Sequence, residues 1–330
     1  MTGPSVRIFR GALTALLIAG CGEAPHRGDD RPGAGDATGG TEPVSADRVA
    51  VIAEAWQTPR DTVDNIDSPA VWHGPEGEHW LLATAKETDV IVVSDASTGE
   101  VLRRVGGEGT GPGRMDRPNG LAVVDDVVFV VERDNARVQV FALPGFASLG
   151  TYGENELVKP YGIAIVAEAA GAYSTFITDN YEFEEDVIPA DDLLGERVRH
   201  YRVGMGDGGV EATLLNTFGD TEGDGVLRVV ESIAADPDHD RLLVAEEREG
   251  ASMIKGYTLG GAFRGEIIPE TFFPHQAEGI VLYACADAEE RGGYWVTTDQ
   301  DEAVNTFHVF DRVTLDHLGS FRGRTVRNTD

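Results

Sequence analysis

The chain predicts an all-β fold, and specifically a β-propeller, from three observations. One order of segments recurs: an acidic or Pro/Gly opening, an apolar strand, an Asp/Gly turn, a second apolar strand, a polar turn and an alternating strand. The recurrences begin at Asp67, Pro118, Pro160, Glu231 and Glu278, so their spacings are 51, 42, 71 and 47 residues. Blades of four strands repeat at roughly 40 to 50 residues. Strand periodicity is the second observation, clearest at Asn305 to Phe310, where polar and apolar residues alternate as they do in a half-buried strand. The third is that no stretch keeps helical periodicity over three turns. Together these point to radial repetition of small antiparallel sheets.

The N-terminus reads as an export signal. Arg7 and Arg10 precede a short, mostly apolar run from Ala12 to Ala19, and small residues end on Cys21. A run this short cannot span a bilayer, and the basic start fits a cleaved secretory signal. Ile18-Ala19-Gly20-Cys21 looks like a bacterial lipobox, so residues 1–20 are expected to be removed and Cys21 lipidated. The lipid would anchor the chain to a membrane of the bacterial cell envelope. Cys285 is the other cysteine, and a lipidated Cys21 leaves it without an intrachain disulfide partner. Residues 21–46 are Gly, Asp, Pro, Thr and Ala with almost no large apolar side chain, which is the composition of a flexible tether.

Residues 47–330 carry the repeats. The first reads DSPAVW, WLLATAK, DVIVVSD and EVLRRVG; the second PNGLAVV, VVFVVERD and RVQVFAL; the third PYGIAIV, STFITDN and VRHYRVG. The fourth reads ESIAAD, RLLVAEE and MIKGYTL, and the fifth runs from Glu278 through YWVTT to Phe310. The long third spacing comes from an insertion crowded with acids, Glu182 to Glu196.

Charge narrows the partners. The chain has 27 Lys and Arg against 57 Asp and Glu, a formal charge of −30. That balance argues against nucleic acid, which is bound by neutralising phosphates, and favours cations. Nothing in the sequence demands a partner chain, and a monomer is expected.

The openings DSPAVW, ESIAADPDHDRLLVAEE and AEGIVLY, followed by YWVTTDQ and NTFHVFDR, resemble those of the β-propeller phytases. These are six-bladed, calcium-dependent enzymes that hydrolyse phosphate from myo-inositol hexakisphosphate. The resemblance covers roughly Asp61 to Asp330 and is most specific from Glu231 to Arg312. A weaker similarity, GGEGTGPGRMDRPNGLAV followed by VVERDNARVQVF, is to the NHL repeat of many non-enzymatic propellers.

The phytase resemblance implies carboxylates that hold calcium at the mouth of a central channel, a small phosphorylated substrate, and a water that attacks phosphorus. Two bare carboxylates 4 Å apart repel by roughly 4 kcal/mol at an effective dielectric of 20, so such a cluster needs cations. Calcium accepts six to eight oxygen ligands in loose geometry, which suits ligands from separate loops. By resemblance, Asp67, Glu231, Glu247, Glu278, Gln300 and Asn305 are the calcium ligands, with Glu231, Glu247 and Glu278 also catalytic. Two acids of the family pattern are absent, replaced by Ser68 and Gln276. Lys86 and Arg133 match phosphate-binding residues, while a neighbouring lysine is Glu87 and a third-blade lysine is Asn180.

The resemblance implies six blades, but five repeats are legible and the chain stops at Asn328-Thr329-Asp330, which looks like one more opening. Either the sequence is truncated, or the ring closes with five blades, or it stays open; truncation is favoured because the residual opening is so short, so a missing last blade is expected, with Arg48 to Trp56 available to complete one sheet. The histidines are scattered without metal spacing, no Gly-x-Ser-x-Gly elbow occurs, and DTEGD at 220–224 lacks a full calcium-loop pattern. A second function class stays open: a surface-anchored propeller that binds calcium and serves as a non-catalytic platform.

Overall fold

The computed structural model describes residues 49–58, 61–206, 208–248, 250–285 and 291–326. The signal, the tether, Cys21 and Asn328-Thr329-Asp330 lie outside the described residues. Five antiparallel sheets follow one another along the chain. Blade 1 holds β2 (Ile66–His73), β3 (His79–Ala85), β4 (Val90–Asp95) and β5 (Val101–Gly106). Blade 2 holds β6 (Pro118–Val124), β7 (Val127–Glu132), β8 (Arg137–Ala142) and β9 (Ala147–Tyr152). Blade 3 holds β10 (Pro160–Ala167), β11 (Ala172–Asp179), β12 (Val198–Gly206) and β13 (Gly209–Phe218). Blade 4 holds β14 (Val230–Asp236), β15 (Arg241–Glu246), β16 (Met253–Tyr257) and β17 (Phe263–Ile268). Blade 5 holds β18 (Ala277–Ala284), β19 (Gly293–Asp299), β20 (Thr306–Asp311) and β21 (His317–Arg322). No helix among the described residues is long and apolar enough to cross a membrane.

The second strands, such as β7 and β15, are buried almost end to end, which is why they read as unbroken apolar runs rather than alternating ones. The core is a series of apolar layers between neighbouring blades. Trp72, Leu82 and Ile91 of blade 1 pack with Leu121, Val128 and Phe141 of blade 2, and Leu243 and Ile254 of blade 4 pack with Ile280, Trp295 and Phe310 of blade 5. Buried ion pairs fasten the layers. Arg312, 2 % exposed in its side chain, meets the fully buried Asp236 of the preceding blade.

The blade count corrects the expectation of six. β1 (Val49–Val51), read from sequence as free to complete a sheet, runs parallel to β21 and adds a fifth strand to blade 5. The chain then crosses to blade 1. Glu54 accepts hydrogen bonds from the backbone and hydroxyl of Thr325, and the Trp56 indole donates to the Ala96 carbonyl at 3.1 Å. Gly99 is needed there, because it sits at φ 75° and a Cβ on it would lie 2.4 Å from the Trp56 ring. This segment thus links the last blade to the first, and the inner strands of all five blades line one cavity.

Every inner strand carries a β-bulge at the same place, between Ile66 and Pro69, Pro118 and Leu121, Pro160 and Ile163, Val230 and Ile233, and Ala277 and Ile280. A bulge bends the strand and re-aims the extra residue. The acidic insertion follows Asn180, between β11 and β12, and is tied down by Lys159 to Glu182 at 2.7 Å and by Arg228 to Asp191 at 2.7 Å. Phe183 and Val187 are exposed on it. Cys285, which follows β18, is buried.

Candidate functional site

The five bulges build the site. Their residues, Asp67 and Ser68, Asn119 and Gly120, Tyr161 and Gly162, Glu231 and Ser232, and Glu278, surround a small central cavity of about 20 Å³. A space of that size takes about one water or ion. Close approach of the strands demands glycine at two places. A Cβ on Gly120 would lie 2.4 Å from the Tyr161 carbonyl oxygen, and one on Gly162 would lie 2.2 Å from that of Glu231. Between blades 3 and 4 the contact is locked by Thr178, whose hydroxyl accepts from the Gly162 amide and donates to the Glu231 carbonyl.

A second ring surrounds the first. The residue after the second strand of each blade is Lys86, Arg133, Asn180, Glu247 or Gln300. Its amide donates back to the same point of its own blade, at Asn65, Arg117, Lys159, Val229 or Gln276. Position in this ring therefore decides charge. Blades 1 and 2 supply Lys86 and Arg133, whereas blades 4 and 5 supply Glu247 and Gln300 beside Glu231 and Glu278.

The acids converge on one side. Glu231, Glu247 and Glu278 place carboxylate oxygens within 4.8 Å of one another. Burial, followed by the charges of Glu278 and Asp67, pushes the Glu231 carboxyl up to about 8, while Lys86 and Arg133 pull it back. Two amides brace the other acids: Gln276 donates to Glu247 at 2.9 Å, and Gln300 donates to Glu278 at 2.9 Å. The amide of Gln276 thus gives the cluster a hydrogen-bond donor and adds no charge to it.

The remaining sequence-predicted residues are placed as follows. Asp67 pairs with Lys86 at 2.5 Å. Arg133 pairs with Asp134 at 2.6 Å and donates to the Tyr161 hydroxyl at 3.4 Å. Asn305 is fully buried beneath the polar turn, where its side-chain oxygen accepts from the Asp301 amide at 3.0 Å. Glu87 faces Arg117 at 3.5 Å, and Asn180 is buried.

Sequence reasoning missed Asn119, Tyr161 and Ser232, which occupy the bulge positions between the acids. The signal was available, because each stands at the same place in its repeat as Asp67 or Ser68 does in the first. It also missed a wider cavity of about 350 Å³ beside the acids, lined by His275, Gln276, Gln300, Asp301 and Glu302. His275 donates its backbone N–H to Asp299 at 3.0 Å and shares a 2.9 Å contact with Asp299 through Nδ1. That contact raises the imidazole above its ordinary range.

Fold and site together define a five-bladed β-propeller with a charge-divided channel mouth. No protein-family model matches the chain, and no curated protein matches it. Solved structures similar to it include hydrazine synthase of Kuenenia stuttgartiensis, at 12 % identity and TM-score 0.45, covering 78 % of this chain and 65 % of that one. The chain thus spans just under two thirds of that protein. A nidogen/laminin complex is similar at 14 % identity and TM-score 0.48, covering 78 % and 80 %. A member of the DUF4221 family from Bacteroides vulgatus is similar at 13 % identity and TM-score 0.48, covering 84 % and 88 %.

Proposed function

We propose that this protein is a calcium-dependent phosphoric monoester hydrolase of the phytase type, acting on myo-inositol hexakisphosphate or a related ester in the bacterial cell envelope. The observation that carries the reading is the division of the mouth, with three converging glutamates on blades 4 and 5 and two cations, Lys86 and Arg133, on blades 1 and 2. Three carboxylates within 4.8 Å fit a hard divalent cation. Glu231, Glu247 and Glu278 would hold calcium, with Asp67 and the side-chain carbonyl of Gln300 at the edge of the set. When bound, calcium supplies Lewis acidity toward a phosphoryl oxygen and toward water.

The chain's own groups do the rest. Lys86 and Arg133 offer positive charge to the non-bridging oxygens of a phosphate lying over the cluster, and the Tyr161 hydroxyl steadies Arg133. The Gln276 and Gln300 amides fix the orientation of Glu247 and Glu278, so that little rearrangement is needed when substrate arrives.

The test is phosphate release from myo-inositol hexakisphosphate by the purified protein, with calcium and with chelator, beside a Glu231→Gln/Glu278→Gln variant. Calcium-dependent release that the variant loses by roughly a hundredfold or more is expected, as for removal of groups acting on the transition state. Absence of release from a protein that calcium nevertheless protects against heat would support the second reading, a calcium-stabilised binding platform. One observation favours that reading: both basic residues of the mouth already face acids, Lys86 with Asp67 and Arg133 with Asp134.

Anchoring through a lipid on Cys21 belongs to the same proposal. A thioether-linked sulfur cannot also join a disulfide, and Cys21 is the chain's only other cysteine. Mass spectrometry of the mature N-terminus under non-reducing conditions decides it. A diacylglycerol adduct is expected, and a Cys21–Cys285 bridge would overturn the anchor.

A further inference from the structure

His308 and His317 share Ser320 within the fifth blade, and the two rings pack against Phe272 and Phe310. His73 and His79 meet on an exposed strand pair. The acidic insertion presents Phe183 and Val187 with nothing to define an occupant. The wall of the wider cavity carries more.

His275 stands in the fifth blade where blades 1 to 4 have Asp64, Asp116, Val158 and Arg228, and the fold alone does not ask for an imidazole there. Its Nδ1 is turned onto the buried Asp299, whose other oxygen accepts the backbone N–H groups of His275 and Gln276. The bracket itself is a blade device, since Asp179 accepts the Val158 and Lys159 amides in the same way in blade 3. What blade 5 adds is the ring.

With Nδ1 committed, Nε2 is the edge left for chemistry. Asp301 faces it as an ion-pair partner, its Oδ2 lying 3.6 Å from Nε2 and so beyond hydrogen-bonding distance, while its Oδ1 accepts the Ala303 amide. The side chain is 49 % exposed. It lines the cavity of about 350 Å³ together with Gln276 and Gln300, the two amides that hold Glu247 and Glu278. A cavity of this size accepts a small organic group, whereas the central one accepts about an ion. A phosphate held over the acids, with Lys86 and Arg133 on its far side, would direct its ester group into the larger space.

We propose that His275 is a catalytic residue of this site, delivering the Nε2 proton to the bridging oxygen of the departing alcohol. In that step the oxygen of water forms a bond to phosphorus and the bond from phosphorus to the ester oxygen breaks. The alcohol leaves carrying the His275 proton, the proton of the attacking water passes to solvent, and solvent reprotonates Nε2 for the next cycle. The inference rests on the hydrolase reading.

The test uses leaving groups. A nitrophenolate leaves without help, whereas an alkoxide needs a proton. The His275→Asn variant is expected to lose about 10² to 10⁴-fold on an alkyl phosphate such as glycerol phosphate, the usual worth of a positioned general acid, and only a few-fold on para-nitrophenyl phosphate. Equal losses on both substrates would overturn the inference and leave the hydrolase standing, and no release by the unaltered protein would overturn both. Two measurements avoid reliance on the variant's folding. The unaltered protein is expected to show a solvent deuterium isotope effect on the alkyl ester that the nitrophenyl ester lacks. Inorganic phosphate titrated into histidine-labelled protein is expected to move the His275 ring resonances. Isotope effects that match, or ring resonances that stay fixed at saturating phosphate, would count against His275.

Discussion

Replacing Glu231 and Glu278 by glutamine is expected to make the cation-free protein more stable above neutral pH. Three carboxylates share a space 4.8 Å across, and burial with the charges of Glu278 and Asp67 raises Glu231 to about 8. A carboxyl whose folded pKa exceeds its unfolded value binds its proton more tightly in the native state. Stability therefore falls as pH rises from about 4.5 through about 8, and the loss is complete above that. A shift of this size corresponds to several kcal/mol. At roughly 2–4 °C per kcal/mol for a chain of this class, the double variant should melt on the order of 10–20 °C above the unaltered protein at pH 8.5 in chelator. In calcium the order should reverse, because a cation that binds only the native state stabilises only the protein that has its ligands. Melting curves across pH, with chelator and with calcium, check both halves. A variant that melts lower in chelator at high pH would show that the glutamates are held by something other than a cation.

The second large effect is structural and concerns Arg312. Its guanidinium lies 2.7 Å from Asp236 through Nε and also donates to the carbonyls of Arg291 and Gly292. Burial pushes the Asp236 carboxyl up, and hydrogen bonds from Arg312 and His239 more than offset it, so it stays below its usual range. Arg312→Leu leaves that buried carboxylate without its guanidinium, with His239 and the Asp238 amide still bound to it, a change that costs about 3–5 kcal/mol. The expected fall in melting temperature is roughly 6–20 °C, and Asp236→Asn in the same chain should recover part of it. Since Asp236 ends β14 and Arg312 follows β20, the loss should appear as loosening between blades 4 and 5. A change of a degree or two would mean that water already reaches the pair.

What could be read in the sequence was whatever repeats locally. The openings at Asp67, Pro118, Pro160, Glu231 and Glu278 coincide with the inner strands, and Lys86, Arg133, Glu247 and Gln300 fall in one structural ring because each follows a second strand. Outer strands such as β9, β13 and β17 were not legible, since an exposed edge strand need not alternate cleanly. The blade number was not legible either. A propeller's count depends on how the last sheet meets the first, and here that rests on Glu54, Trp56 and a three-residue parallel strand with no signature of its own. His275 looked like one of several scattered histidines because its partner Asp299 is 24 residues away, across the pairing of β18 and β19.

The central claim is that Glu231, Glu247 and Glu278 form a cation site at the junction of the five blades, and calorimetric titration of the chelator-treated protein with calcium tests it most directly. Saturable binding is expected at pH 7.5. The observed heat should vary with the ionisation enthalpy of the buffer, because Glu231 must release its proton when calcium enters. Both the binding and the proton release should vanish in Glu231→Gln/Glu278→Gln. Calcium binding that survives in that variant, or its absence from the unaltered protein, would contradict the account.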